Sequence, residues 1–136
     1  MDKDNAVKIH ILLVDDEEDT VVIFEYHFKH WIREGKARLS FSTSADEAIK
    51  SLDESNGNDI ILILSDVNMP GMDGFEFITT VTTKYPHIKS ILISAYSTPE
   101  YYDKADQAGA KKYFIKPVDF EELTKYIESE FGALKA

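Results

Sequence analysis

Asp15-Asp16, Asp66, Ser94 and Lys116 are the residues whose types could do chemistry together, and each stands at or just beyond the end of a run of apolar residues. Three carboxylates gathered at one point repel: two unit charges about 4 Å apart cost about 4 kcal/mol at an effective dielectric near 20. A cation is therefore required among them. Lys116 offers one positive charge, and a hard divalent ion held by oxygens is the natural further partner. Magnesium fits, because it accepts a few carboxylates and keeps several waters. An Asp beside such an ion can attack a phosphoryl donor and become an aspartyl phosphate, with Lys116 and the Ser94 hydroxyl balancing charge on the transferred oxygens. Asp66 suits that role, and Asp15 or Asp16 would share the metal. The loop Val67 to Gly74 contains a Pro and two Gly, so it can take a tight path that turns the backbone carbonyl of Asn68 toward the ion.

Elements must bring these distant positions together. Ile9 to Val14, Ile60 to Leu64, Ser90 to Ile93 and Tyr113 to Ile115 are short, branched or aromatic runs, as expected of strands buried on both faces of a parallel sheet. Leu39 to Ser42 alternates instead and reads as a half-exposed edge strand. Between them lie helical periods with recognisable ends. Thr20 to Glu34 carries the stripe Val21, Phe24, Phe28 and Ile32 before a stop at Gly35, and that stripe is assigned to the core. Ser44 with Glu47 has capping-box spacing, and Asn56-Gly57 supplies the turn that follows. A third helix runs from near Gly74 to the residues before Tyr85-Pro86. A fourth has Pro99 in first position after Thr98 and stops near Gly109. Asp119 with Glu122 caps a last helix bearing Phe120, Leu123, Ile127 and Phe131.

Five strand-helix units predict an α/β, doubly wound, five-stranded parallel sheet, a (βα)5 flavodoxin-like fold with strand order 2-1-3-4-5. In such sheets ligands bind beyond the carboxyl ends of the strands, which is where the reactive residues fall.

The chain's 136 residues predict one domain over 1–136, with 43% hydrophobic content enough for a core. A net charge of −10 opposes direct binding to nucleic acid. No run nears the roughly 20 apolar residues that span a bilayer, and the charged start Met1-Asp2-Lys3-Asp4 lacks signal-peptide features, so no membrane partner and a cytoplasmic location are expected. Absence of cysteine excludes disulfides, thiolate metal sites and a cysteine nucleophile.

The motifs Leu13-Val14-Asp15-Asp16, Asp66 with Met69-Pro70-Gly71-Met72-Asp73-Gly74, Ser94-Ala95 and Lys116-Pro117 resemble those of response regulator receiver domains of two-component systems, the chemotaxis-regulator type included, over about residues 8 to 132. The resemblance implies Asp66 as phospho-acceptor, and Asp15, Asp16, Asp66 and the Asn68 carbonyl as magnesium ligands. It implies Lys116 as phosphate contact, Ser94 as switch hydroxyl, Tyr113 as switch aromatic, and a cis Lys116-Pro117 bond. It also implies tuning of phosphoryl lifetime by Asn68 and Tyr96, a sensor histidine kinase or histidine phosphotransfer protein as donor, a downstream effector, and a phosphorylation-linked homodimer.

Plainer readings stand beside these. Asp15 and Asp16 could cap the first helix, Tyr113 could be packing, and Tyr101 and Tyr102 read as packing more than as a partner surface. Trp31 with Lys29 and Arg33 reads as a partly packed helix face rather than a docking patch. His10, His27, His30 and His87 fall away from the acidic rim and receive no chemistry. A phosphohydrolase of the haloacid-dehalogenase kind would place Asp-x-Asp after the first strand, whereas Asp66-Val67-Asn68 follows the third. A phosphorylation-independent scaffold is the other rival.

Overall fold

A computed structural model describes residues 9–57 and 60–134; the charged start Met1-Asp2-Lys3-Asp4 lies outside them. Five parallel strands, β1 (Ile9–Val14), β2 (Ala37–Ser42), β3 (Leu62–Asp66), β4 (Lys89–Ser94) and β5 (Lys112–Ile115), pair in the order β2-β1-β3-β4-β5. This is the doubly wound order expected. The edge strand starts two residues before Leu39. The third strand is displaced toward the carboxyl end, so that Asp66 and Ser94 are the last residues of β3 and β4 rather than the first residues beyond them.

Because successive side chains of a strand face opposite sides, the sheet makes two cores. Leu12, Val14, Ile63 and Leu92 point to one side, covered by α3 (Ala45–Glu54), α4 (Gly74–Lys84) and α5 (Pro99–Ala108). Ile11, Leu13, Leu64 and Ile93 point to the other, covered by α1 (Asp19–His27), α2 (Lys29–Arg33) and α6 (Phe120–Glu130).

The helix ends are built largely as the residue types dictate. Ser44, Asp73, Thr98 and Asp119 each accept the backbone N–H three residues on, which satisfies a donor the helix cannot. The capping box is modified: Glu47 Oε1 accepts from the backbone N–H of Thr43 at 3.0 Å, one residue before Ser44. Gly109 takes φ +96 and closes α5.

The first helix corrects the sequence expectation. It is not continuous from Thr20 to Glu34, but breaks at Phe28 (φ −101, ψ 8) into α1 and α2. The break shifts the face of the following turn. Trp31 is buried and stacks on Phe28 with ring centroids 5.0 Å apart, while Ile32, assigned to the core stripe, is 37% exposed. Trp31 therefore anchors the helix and is not a docking residue.

Candidate acidic site at the sheet edge

The connections from β1 and β3 run to opposite faces of the sheet, so a crevice opens between the carboxyl ends of these neighbouring strands. Asp15 directly follows β1 and Asp66 ends β3, and both are buried. Asp16 is exposed beside them, and one carboxylate oxygen from each of the three residues lies within 4.8 Å of the others. Asp15 does not cap α1. Its Oδ1 accepts from the backbone N–H of Glu17 at 2.9 Å, whereas Glu18 at the helix start makes no side-chain cap. That hydrogen bond holds the carboxylate inward.

Lys116, just beyond β5, places Nζ 3.3 Å from Asp66 Oδ1. The Lys116-Pro117 bond is cis, as expected. Burial pushes the Asp66 carboxyl above the usual carboxylate range, against the lowering effect of Lys116. Asp15 is raised as well, again chiefly by burial, with the Glu17 N–H opposing and the Asp66 charge adding. Two buried carboxyls disfavoured as anions beside a third are a donor set of hard oxygens short of positive charge, and this fits a small divalent cation.

One glycine is needed for close approach. A Cβ on Gly74 would stand 2.4 Å from the Asp66 carbonyl oxygen and 2.7 Å from the Val67 Cα. Its N–H donates to the Val67 carbonyl at 2.8 Å. The first turn of α4 thus rests directly on the backbone that carries Asp66.

On the β4 side, Ser94 is fully buried. Its hydroxyl donates to Asn68 Oδ1 at 3.2 Å and accepts from the Tyr96 N–H at 3.1 Å. The Tyr113 hydroxyl donates to the Tyr96 carbonyl at 2.5 Å, and burial pushes its phenol up. Tyr96 is 52% exposed, and its ring leans on that of Tyr101 at 5.0 Å. Every site residue expected from sequence therefore lies at one edge. Tyr101 was read as packing more than as a partner surface; it does pack on Phe75, but its hydroxyl also accepts from Asn68 Nδ2 at 3.4 Å. A tyrosine two positions after a helix start carries no sequence signal of that contact. Among the histidines, His10 bonds Ser40, His27 stacks on Phe120 and His87 bonds the Gly57 carbonyl.

Fold and site define a doubly wound α/β domain with an acidic centre at its topological switch point. A model of the response regulator receiver domain matches residues 11–128, and the chain belongs to that family, the signalling switches of two-component systems. A probable chemotaxis protein CheY of Rhizobium etli is 31% identical over 133 residues, covering 96% of this chain and 98% of that one. The two-component response regulator ARR12 of Arabidopsis thaliana is 35% identical over 117 residues; these are 86% of this chain but 19% of that protein, so the chain spans about a fifth of that relative. Among solved structures, a chain of the CheX-CheY-BeF3-Mg complex from Borrelia burgdorferi superposes with TM-score 0.81 at 24% identity, covering 96% and 95% of the two chains. A signal receiver domain from Pseudomonas fluorescens does so with TM-score 0.81 at 24% identity, covering 93% and 97%. No helix among the described residues is long and apolar enough to cross a membrane.

Proposed function

We propose that this receiver domain accepts a phosphoryl group on Asp66 and uses it to switch a partner-binding surface. The observation that carries the reading is a buried Asp66 carboxylate with a lysine ammonium 3.3 Å away and two further carboxylates beside it. Asp15, Asp16, Asp66 and the backbone carbonyl of Asn68 would hold magnesium, which when bound supplies positive charge to the oxygens of the incoming phosphoryl group. The fold neighbour solved in the CheX-CheY-BeF3-Mg complex supports that assignment.

The chain's own residues then act as follows. An Asp66 carboxylate oxygen forms the new O–P bond as the donor's N–P bond breaks, and the electron pair leaves with the donor imidazole. Lys116 holds charge on the transferred oxygens, and Asp15 keeps its inward position through Glu17. The Ser94 hydroxyl turns from Asn68 to a phosphoryl oxygen. Its turn removes the acceptor of the Tyr96 N–H, and Tyr96 in turn holds Tyr113, so the end of β4 and the start of α5 feel the change. The donor is a sensor histidine kinase or histidine phosphotransfer protein. The output is an effector bound through α5, β5 and α6, with a phosphorylation-linked homodimer as a further form, all in the cytoplasm. The nucleophile's place at the end of β3 disfavours a phosphohydrolase, whose Asp-x-Asp would follow β1.

Intact mass after incubation with magnesium and acetyl phosphate tests the reading. The expected result is one phosphoryl group, acid-stable and base-labile, absent in Asp66→Ala. No gain in wild type, or a gain that Asp66→Ala keeps, overturns it.

A further inference from the structure

We propose that Tyr101 on α5 is a positioning residue for the phosphoryl switch: its hydroxyl holds the Asn68 amide so that Asn68 in turn holds the Ser94 hydroxyl away from Asp66. The proposal rests on the phospho-acceptor reading above and adds a latch to it.

The Asn68 side chain is the centre of a relay. Its Nδ2 donates to the Tyr101 hydroxyl oxygen at 3.4 Å, and its Oδ1 accepts from the Ser94 hydroxyl at 3.2 Å. An amide is planar, so fixing the nitrogen end fixes the direction of the oxygen. Asn68 is exposed, in a loop, and would otherwise be free to turn. Tyr101 is well suited to hold it. Its ring is half-buried against the core beneath α4 and α5, edge-on to Phe75 at 5.5 Å and against Tyr96 at 5.0 Å. Phe75 directly follows Gly74, whose backbone rests on Asp66. The hydroxyl is thus placed by the same helix starts that fix the acceptor strand.

The consequence follows from donor counting. Ser94 has one hydroxyl proton, and it is committed to Asn68 Oδ1. A phosphoryl oxygen on Asp66 competes for that proton, and succeeds only when Asn68 gives it up. Loss of the Tyr101 acceptor frees the amide to rotate into water, weakens its hold on Ser94, and favours the phosphorylated arrangement.

The test uses the full chain, with Tyr101→Phe, Asn68→Ala and the double variant. The rate of mass gain in magnesium and acetyl phosphate is followed for each, together with the Asn68 side-chain amide resonances of unphosphorylated wild type and Tyr101→Phe. Tyr101→Phe keeps the ring and its packing. The expected result is a rate about 2- to 10-fold faster, the range that one net neutral hydrogen bond covers. Asn68 amide resonances should move toward those of a water-exposed amide, and Tyr101→Phe should change the rate no further once Asn68 is alanine. An unchanged rate in Tyr101→Phe, or the same acceleration with and without the Asn68 amide, overturns the latch; the second outcome assigns Tyr101 to helix packing alone. A wild type that gains no mass overturns the phospho-acceptor reading instead, while amide resonances unmoved by Tyr101→Phe overturn the latch by themselves.

Discussion

Replacing Gly74 with alanine tests whether the acceptor strand is seated against α4 as closely as the structure places it. Gly74 opens a helix capped by Asp73, and at an exposed helical position the change would stabilise, since alanine exceeds glycine by up to about 1 kcal/mol. Here the new methyl would meet the Asp66 carbonyl oxygen at 2.4 Å and the Val67 Cα at 2.7 Å. Ordinary carbon contacts need roughly 3.5 Å, so strand and helix must part by about 1 Å. Both obstacles are backbone and neither can rotate aside. Overpacking of this kind costs about 1–3 kcal/mol, and loss of the bond from Gly74 N–H to the Val67 carbonyl adds about 1 kcal/mol. With the propensity gain subtracted, Gly74→Ala should lose about 1–3 kcal/mol in urea unfolding at constant m-value. It should also slow phosphoryl gain, because Asp66 is carried on the displaced backbone. Gly71 is the control: it has φ +78 but no neighbour within 4 Å of a Cβ, so Gly71→Ala should cost only backbone strain of about 1 kcal/mol. A Gly74→Ala protein as stable as wild type would refute the close seating.

Asp15→Asn should stabilise the metal-free protein at pH 7 by about 1–3 kcal/mol, since it removes one of three clustered charges while Asn Oδ1 can still accept from Glu17. The sign of the pH dependence follows from both raised carboxyls. The folded state binds more protons than the unfolded one just above the ordinary Asp range, so their contribution is fully present below the unfolded pKa of about 4 and is lost as pH rises through the raised values. In chelator, chemical denaturation across pH 4–8 should therefore show stability from this site falling with pH in wild type, and falling less in Asp15→Asn; an Asp15→Asn protein weaker than wild type at pH 7 would contradict the assignment. Phe77→Ala, at a fully buried ring between α4 and the sheet, should cost about 3–5 kcal/mol by urea unfolding, and a loss under 1 kcal/mol would mean that the core is not packed as described.

The strand order was legible because each buried run is short, and turn and capping residues mark nearly every connection. The positions of the candidate site residues were legible for a related reason: each falls at or just beyond the end of an apolar run, so placing the strands also places them. Strand ends were off by one or two residues, since Asp66 and Ser94 extend the ladder through backbone pairing with Ile93 and Ile115 that side-chain hydropathy does not report. The break at Phe28 was hidden because Phe28 and Ile32 keep helical spacing across it. Only the packing of Trp31 on Phe28 shows that the following turn has shifted its face. The Tyr101 contact was out of reach altogether, as it joins the loop after β3 to the first turn of α5, which only the assembled sheet brings together.

Under the proposed function, the hydrogen-bond chain from Tyr101 through Asn68, Ser94 and Tyr96 to Tyr113 would also limit how far phosphorylation alone drives the switch. It contains four neutral bonds, each worth about 1 kcal/mol net. On the proposed reading they would not all be lost, because Ser94 would exchange its Asn68 partner for a charged phosphoryl oxygen, a bond stronger by about 1 kcal/mol. Taking the population from 1:99 to 99:1 needs about 5.5 kcal/mol of differential stabilisation. Exchange within the chain supplies only a part of that. The remainder must come from side-chain repacking around Tyr113 or from a partner that binds the switched surface more tightly. Phosphorylation without a partner should then give a mixed population, seen as two sets of amide resonances or averaged shifts across α5 and β5, which moves to completion when the effector is added.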